Sequence, residues 1–422
     1  MRGRAGPCFW MVVLFPLAVW ASAAPVATEI PREEYKARRT ALRNTLRDGV
    51  VILYGRTERE RGDLRNAFFQ ESNFFYLAGW REPGAALALT PSAEWLFLPR
   101  RNPVRQRYTG RKASPEDENI RQLTGFEQVS GQETLEAQLP RLLEGFAKVY
   151  TLVDQPAAER LKPLLGGREL ADASKAIGRL RMVKSPREVE LLRRSVERTL
   201  AAHRAGWNRM APGMFEYQIA ATLSNVWLEE GCERNAYAPI IASGPNGVIL
   251  HYQRNERRIA AGDLVLLDAG AECSGYAADI TRTVPAGGNF AARHKELYEL
   301  VLGAQQAALA AVKPGVTLRG LTEIAREWMN SRGKPIGGNP PGRYFTHGIG
   351  HHVGLDVHDP GDVATPLEPG MVITIEPGLY IPEEGVGIRV EDMVLVTEQG
   401  PRILSEALPR QVEAIEKAMR RQ

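Results

Sequence analysis

The residues of this chain best suited to chemistry are a cluster of histidines and four carboxylates that flank it. Four of the seven histidines lie within twelve residues, from His347 to His358. One histidine with four carboxylates is the ligand set of a two-metal hydrolytic centre, and it suits hard to borderline divalent ions. The four carboxylates are Asp268, Asp279, Glu376 and Glu391. The sequence therefore predicts a hydrolase with a pair of metal ions.

Two segments that carry these carboxylates resemble each other, which indicates an internal duplication. Residues 261–270 read AGDLVLLDAG and residues 369–378 read PGMVITIEPG. In both, a carboxylate lies six residues after the first glycine, and a second strand with another carboxylate follows. The pattern predicts two β-hairpin units that face each other with the carboxylates between them.

The alternation of side chains places Arg389 and Glu391 on the same face of a strand. A carboxylate on the inner face of a sheet is costly unless a partner compensates its charge. A metal ion is one such partner, with Arg389 orienting the ligands. A buried ion pair would explain Glu391 alone equally well. Four unrelated buried acids at similar strand ends are implausible, so the set favours a metal centre.

The positions of the histidines in the sequence indicate which of them could point into the metal site. His347 and His351 are four residues apart with glycines between them, so both could point into one site. His352 is adjacent to His351 and cannot share its direction in a strand, which predicts a structural or peripheral role. His251 follows an apolar run and, without family context, could be a surface residue at a strand end.

The rest of the chain predicts two domains. Residues 28–175 alternate helices with strands, which favours an α/β domain. Its predicted strands are residues 50–54, 74–78, 85–89, 95–98 and 149–153, and its predicted helices are residues 32–47, 115–123 and 133–146. The second domain, residues 180–422, opens with a strong helix start from Ser185 to Glu188. Further helices are predicted at residues 214–230, 291–312 and 318–330.

The first 23 residues have the pattern of a signal peptide. A short positive segment precedes the apolar stretch from Phe9 to Trp20, and residues 21–23 match a small-residue cleavage site. The apolar stretch is too short for a spanning helix, and an uncleaved anchor is the alternative interpretation. We therefore expect an exported protein, periplasmic or secreted, that is free of the membrane once residues 1–23 are removed.

Charge and cysteine content argue against a nucleic-acid-binding protein and against a scaffold built on disulfides. The formal net charge is +4 with the basic residues spread along the chain, too weak a field for binding nucleic acid. Beyond residue 23 the cysteines are Cys232 and Cys273, too few for a scaffold built on disulfides. The two could form one bond, but two free thiols are the favoured interpretation, because the sequence cannot place them in space.

Together these residues resemble the pita-bread metallopeptidases, and within them the branch of Xaa-Pro aminopeptidases (aminopeptidase P) and prolidases. The resemblance implies an α/β N-terminal domain followed by an α+β pita-bread (creatinase/aminopeptidase) catalytic domain with an internal pseudo-twofold duplication. Residues 72–83, SNFFYLAGWREP, resemble the non-catalytic N-terminal domain of that branch, which methionine aminopeptidases lack. The other segments that carry the resemblance are Asp268 with Asp279, His347–His351, His358, Thr374–Gly378 and Arg389–Asp392.

The resemblance implies a dinuclear centre in which Asp279 and Glu391 bridge two divalent ions. The implied ligands are Asp268, Asp279, His351, Glu376 and Glu391. Mn²⁺ is the favoured ion, with Co²⁺ and Zn²⁺ as alternatives. The two ions would share a water and lower its pKa to about 7.

The same resemblance implies roles for the remaining candidates. Glu376 would also handle the proton of the nucleophile. His251 and His358 would stabilise the tetrahedral intermediate. His347 would line the site near the proline ring, and Arg389 would support the ligands.

The implied substrates are peptides with proline at the second position, from which the N-terminal residue is released. An Xaa-Pro bond is a tertiary amide without an N–H, and its ring fixes φ, so a site shaped for the ring accepts what general aminopeptidases refuse. A prolidase that cleaves Xaa-Pro dipeptides is the closest rival, because it would share every residue named above. The resemblance also implies self-association as dimers or tetramers.

More distant alternatives fit the residues less well. A metal-free hydrolase of the creatinase type, or a binding module that has lost its ions, would lack part of the ligand set, which is complete here. An Fe(II) oxygenase needs two histidines and one carboxylate with a His-x-Asp/Glu element, whereas His358 is followed directly by Asp359.

Overall fold

The structure is a computed structural model that describes residues 30–58 and 67–420. The predicted signal peptide, residues 1–23, lies outside the described residues. Within them, no helix is both long and apolar enough to cross a membrane.

The N-terminal domain is built on a mixed six-stranded sheet. Its strands are β1 (Gly49–Tyr54), β2 (Ala86–Leu89), β3 (Glu94–Leu98), β4 (Gln128–Gly131), β5 (Lys148–Thr151) and β6 (Glu169–Asp172). They lie in the order β4-β3-β2-β1-β5-β6, with β1 antiparallel to β2 and parallel to β5. Because side chains alternate along β1, Val50 and Ile52 pack on one face, whereas Val51 and Leu53 join a core that continues into the C-terminal domain.

In the described part of this domain, six helices cover the sheet or connect its strands, and a seventh, the last in chain order, leads into the connection to the C-terminal domain. They are α1 (Arg32–Thr45), α2 (Ser72–Ala78), α3 (Pro103–Thr109), α4 (Ile120–Thr124), α5 (Leu135–Leu142), α6 (Pro156–Leu161) and α7 (Ser174–Met182). The helix predicted at residues 115–123 is reduced to the short α4, preceded by turns.

The prediction of a strand at residues 74–78 is wrong, because the chain forms α2 there. The Glu71 side chain accepts a hydrogen bond from the backbone N–H of Phe74 at 2.7 Å and caps the start of the helix. Gly79, with φ of 61°, ends it. All residues from Phe74 to Ala78 are buried, so the apolar run had no polar face from which a helix could be recognised.

The C-terminal domain contains the remaining helices and strands. The helices are α8 (Pro186–Arg209), α9 (Glu216–Glu229), α10 (Ala292–Ala311), α11 (Leu318–Arg332) and α12 (Val412–Met419). The strands are β7 (Arg234–Asn235), β8 (Ile240–Ser243), β9 (Leu264–Ala269), β10 (Ala271–Cys273), β11 (Tyr276–Ala277), β12 (Ile280–Pro285), β13 (Val372–Ile375), β14 (Gly378–Ile381), β15 (Val386–Arg389), β16 (Asp392–Thr397) and β17 (Gly400–Ile403). The predicted start of α8 is present, since the Ser185 hydroxyl and the Glu188 carboxylate each accept a hydrogen bond from the other residue's backbone N–H.

The order of elements in this domain repeats. In each half a pair of helices precedes a strand, a two-stranded ribbon follows, and a returning strand pairs antiparallel with the first. The pairs are β9 with β12 and β13 with β16. The repeat agrees with the predicted duplication, but the units are not simple hairpins, because the ribbons β10–β11 and β14–β15 lie between the paired strands.

Cys232 and Cys273 form a disulfide, so the expectation of two free thiols is wrong. Cys232 lies just before β7 and Cys273 ends β10, and these two strands pair antiparallel through Asn235 with Ala271 and Arg234 with Glu272. The pairing brings the cysteines together across a sequence separation of 41 residues. That separation is why the sequence alone could not place them.

Candidate metal centre

The four predicted carboxylates lie at the ends of the paired strands. Asp268 is in β9, opposite Thr281 of β12, and Asp279 immediately precedes β12. Glu376 follows the last residue of β13, and Glu391 precedes the first residue of β16. The ends of both strand pairs lie close together, so residues more than a hundred positions apart in the sequence form a single cluster.

The side chains of this cluster form three overlapping groups that could hold a metal ion. Within each group the ligand atoms lie within 4.8 Å of one another. The groups are Asp268 with Asp279 and Glu391, His351 with Glu376 and Glu391, and Asp279 with His351 and His358. Since Glu391 belongs to two groups and Asp279 to two, the arrangement suits two neighbouring ions that share carboxylates.

The charge of the cluster also fits a pair of cations. Burial, together with the charges of Asp279 and Glu376, raises the pKa of Glu391 well above its ordinary value. Burial raises the pKa of Glu376 to about 7, against the opposing charges of His351 and Arg389. The two cationic side chains therefore do not compensate the charges of three buried acids and the partly buried Glu376. Divalent ions would supply the missing positive charge, so the residues present fit a dinuclear centre.

His351 presents one ring nitrogen to the carboxylates. Its Nδ1 lies 3.1 Å from the carbonyl of His352 and must donate to it, which leaves Nε2 3.4 Å from both Asp279 and Glu376. Burial opposes the charged ring, but the hydrogen bond with Asp279 and the charge of Glu376 outweigh it and raise the pKa of His351 to about 9. A ligand imidazole is neutral, so a metal ion would take the place of this proton.

Arg389 supports the cluster and orders a second histidine. Its guanidinium donates to Asp268 and, at 2.8 Å, to the Tyr380 hydroxyl. That hydroxyl lies 2.8 Å from Nε2 of His347, whose Nδ1 donates to the Gly348 carbonyl at 2.8 Å. Nε2 is therefore the acceptor of the Tyr380 proton. Burial and the charge of Arg389 lower the pKa of His347 to about 4, so this ring is neutral at physiological pH.

Two hydroxyl groups that the sequence analysis missed also hold the carboxylates. The Tyr237 hydroxyl lies within hydrogen-bonding distance of Asp268 and Asp279. The Thr281 hydroxyl donates to Glu391 at 2.6 Å. No pattern in the sequence marks Tyr237, which lies in the irregular segment between β7 and β8.

Tyr380 was also missed, although the sequence contains a signal for it. It lies four residues after Glu376 in an almost continuous extended segment, and residues an even number apart in a strand face the same side. The alternation argument that assigned Arg389 and Glu391 to one face could have identified Tyr380 as a neighbour of the cluster.

A cavity of about 420 Å³ opens onto the carboxylates. His251, His347 and His358 line it, so all three predicted catalytic histidines lie around the cluster. His251 and His358 are exposed at its rim, and the ring of His358 lies 4.1 Å from that of His351, measured between centroids. The volume suits the end of a peptide. Carboxylates clustered at strand ends beneath an open, histidine-lined cavity are the arrangement of a metallohydrolase.

Comparison with known proteins identifies the family. Residues 190–398 match the profile of Metallopeptidase family M24, and residues 35–150 match that of Aminopeptidase P, N-terminal domain. The chain is 34% identical to the Xaa-Pro aminopeptidase of Escherichia coli strain K12, over 94% of its own length and 100% of the relative's. It is 38% identical to the Xaa-Pro dipeptidase of Pyrococcus furiosus, over 59% of this chain and 70% of the dipeptidase.

The fold agrees with these matches. The structure of zinc-substituted Escherichia coli aminopeptidase P in complex with product has a TM-score of 0.86 at 32% identity, covering 93% of this chain and 100% of that chain. The chain therefore belongs to the M24 metallopeptidase family, in its aminopeptidase P branch. The predicted pita-bread fold and the predicted family are both confirmed.

Proposed function

We propose that this protein is a dinuclear metallo-exopeptidase that releases the N-terminal residue from peptides with proline at the second position. The observation that carries the proposal is the shared ligand set, in which Asp279 and Glu391 each belong to two potential metal groups directly beneath the cavity. The near full-length similarity to an Xaa-Pro aminopeptidase supports the substrate class.

In this proposal Asp268, Asp279, His351, Glu376 and Glu391 hold the ions. When bound, two divalent ions would polarise the scissile carbonyl as Lewis acids and would make a water acidic enough to serve as the nucleophile. Glu376 accepts and returns the proton of the nucleophile, because its carboxylate belongs to the ligand cluster and lines the cavity above it. His251 and His358 at the rim donate hydrogen bonds to the developing oxyanion.

The neutral ring of His347 suits a wall for the proline ring. Burial and the charge of Arg389 keep this imidazole uncharged, and its hydrogen bonds with Tyr380 and the Gly348 carbonyl fix its orientation. The face of an uncharged imidazole can pack against a pyrrolidine ring without requiring the N–H that proline lacks. Recognition of the ring by shape then replaces recognition of a backbone donor.

A prolidase, restricted to Xaa-Pro dipeptides, is the second candidate. The similarity to an Xaa-Pro dipeptidase favours it, but that similarity covers 59% of the chain, against 94% for the aminopeptidase. The extent of similarity therefore supports the aminopeptidase.

Substrate length separates the two candidates. Protein lacking residues 1–23, stripped with chelator and reloaded with Mn²⁺, is offered an Xaa-Pro dipeptide, an Xaa-Pro-Xaa tripeptide and a tripeptide with alanine in place of proline. We expect metal-dependent release of the first residue from the proline tripeptide. Cleavage of the dipeptide alone would make the protein a prolidase, and cleavage of the alanine peptide would contradict proline specificity. Equal assays with Co²⁺ and Zn²⁺ test the proposal that Mn²⁺ is the preferred ion.

We also propose that the protein is exported and processed near Ala23. The disulfide between Cys232 and Cys273 supports an oxidising compartment. Mass spectrometry of the protein recovered from expressing cells should find a mature N-terminus at or near Ala24. An intact Met1 would contradict export.

A further inference from the structure

The loop that carries His358 is tied to a buried cluster of charges outside the metal centre. Asp359 accepts hydrogen bonds from Arg181 at 2.6 Å and from Lys184 at 2.9 Å. The three side chains are only 1–2% exposed. Arg181 lies in α7 and Lys184 lies just before α8, so both cations belong to the connection between the two domains.

The N-terminal domain reaches the same cluster. Arg181 donates to Asn73 at 2.7 Å and to Asp356 at 2.6 Å, and the Ser72 hydroxyl donates to Asp356 at 2.7 Å. Ser72 and Asn73 are the first residues of α2. Both ends of the segment from Asp356 to Asp359 are therefore fastened to the domain connection.

His358 lies inside this fastened segment. The backbone N–H of Asp359 donates to the carbonyl of His352 at 2.9 Å, which fixes the segment relative to the neighbouring ligand His351. The His358 side chain itself is exposed at the cavity, with its ring against that of His351. The location of the ring thus depends on the backbone that carries it.

A buried ionic cluster has a desolvation cost that well-packed apolar residues would not have, so stability alone is a weak explanation for it. We propose that Arg181, Asp359 and Lys184 are positioning residues that hold His358 at the rim of the metal centre. Through Asn73 and Ser72 the N-terminal domain takes part in this positioning. The proposal rests on the proposed function of His358 in peptide cleavage.

The direct test replaces Asp359 with a neutral residue of the same shape. We expect Asp359→Asn to lower kcat on the order of tenfold to a hundredfold, because small displacements of a catalytic group have effects of this size. KM for the tripeptide should change less than about twofold and bound metal should be unchanged, because the ligands stay in place. Unchanged kcat in the folded variant, or loss of bound metal, would overturn the proposal.

A matched control separates positioning from general destabilisation. Arg39 and Glu94 form another buried ion pair, at 2.9 Å with side chains 0% and 1% exposed, within the N-terminal domain. Glu94→Gln should lower the melting temperature about as much as Asp359→Asn does, with kcat unchanged. An equal loss of kcat in both variants would attribute the effect to stability and overturn the proposal.

A double-mutant cycle tests whether Asp359 acts through His358. In a His358→Ala background, Asp359→Asn should lower kcat by less than about twofold, because the group that it positions is gone. Losses that multiply would overturn the positioning role. If Asp359→Asn does not fold, Arg181→Lys replaces it in the same cycle, since it keeps the charge and loses the forked contacts to Asn73 and Asp356. Failure of the wild type to cleave any Xaa-Pro peptide would instead count against the proposed function.

Discussion

The two halves of the C-terminal domain share an order of elements but contribute differently to the metal centre. The first half supplies two aspartates, and the segment between its helix pair and β9 adds Tyr237. In the second half, the corresponding segment between α11 and β13 adds His351 to two glutamates. The segment between the helix pair and the first paired strand therefore contributes a neutral hydroxyl in the first half and a potential metal ligand in the second half.

The halves also hold each other's carboxylates. Arg389 of the second half donates to Asp268 of the first, and Thr281 of the first half donates to Glu391 of the second at 2.6 Å. Each half therefore contributes two of the four carboxylates. The hydrogen bonds from Arg389 to Asp268 and from Thr281 to Glu391 connect the two halves. The segments that precede β9 and β13 provide the asymmetry, because they carry the histidines and Tyr237.

The largest effect is expected from removing a carboxylate that both ions share. Asp279→Asn or Glu391→Gln should abolish peptide cleavage and lower bound metal, because the shared ligand loses its charge. Metal analysis of the purified variants and the tripeptide assay check this. Glu272→Gln, which changes a buried carboxylate of β10 outside the cluster, is the control and should retain metal and turnover. Retained metal and turnover in Asp279→Asn would disprove the ligand assignment.

A smaller effect, confined to catalysis, is expected from the first-half histidine. His251→Ala should lower kcat on the order of a hundredfold with bound metal unchanged, as loss of an oxyanion donor does. Steady-state kinetics and metal analysis of the same preparation separate the two roles. His294→Ala, at the partly buried start of α10 and outside the cluster, should change neither. Loss of metal in His251→Ala would make the residue a ligand and remove the asymmetry between the halves.

Tyr237→Phe tests the hydroxyl that the first half has in place of a ligand. We expect metal affinity to fall about tenfold, since partners that orient ligands typically contribute ten- to a hundredfold. Titration of the stripped protein with Mn²⁺ measures the change. Tyr298→Phe removes another buried hydroxyl, which bonds the Arg410 carbonyl away from the centre, and should leave affinity unaltered. Identical affinities for Tyr237→Phe and wild type would show that the hydroxyl has no part in metal binding.

The smallest effect should come from removing the hydrogen bond that the Thr281 hydroxyl of the first half donates to Glu391 of the second half. Thr281→Val leaves Glu391 without that donor, and we expect metal affinity to fall only a few-fold, because Glu391 keeps its charge and loses one hydrogen bond from a neutral hydroxyl, with a net contribution on the order of 1 kcal/mol. Thr124→Val, which removes a buried hydroxyl of the N-terminal domain, serves as the control in the same Mn²⁺ titration. A loss of metal affinity as large as that of Asp279→Asn would contradict the minor role that we assign to this hydrogen bond in metal binding.

The sequence predicted which carboxylates and which histidine lie together, because the signal for this cluster is local. Asp268 and Glu376 follow similar apolar strands, and the period of two assigns Arg389 and Glu391 to one face without knowledge of the fold. The duplication was visible in the same segments, although the ribbons between the paired strands were not. The buried run at residues 74–78 shows the limit of local patterns, since a helix buried on all sides lacks the alternation that would reveal it.

The remaining contacts connect positions far apart in the chain. Tyr237, Thr281 and the disulfide between Cys232 and Cys273 depend on which strands are neighbours, and the sequence does not state that. The same holds for Asp359, which the sequence analysis used only to exclude an iron oxygenase. Its partners Arg181 and Lys184 lie 178 and 175 residues away.

The most direct test of the dinuclear site is a metal titration followed by activity. Stripped protein is titrated with Mn²⁺ while bound metal and cleavage of an Xaa-Pro-Xaa tripeptide are measured in parallel. We expect two equivalents to bind to the wild type, with cleavage absent before metal is added and complete when both sites are filled. Cleavage by the stripped protein, or saturation of both binding and activity at one equivalent, would contradict a centre in which Asp279 and Glu391 are shared between two ions.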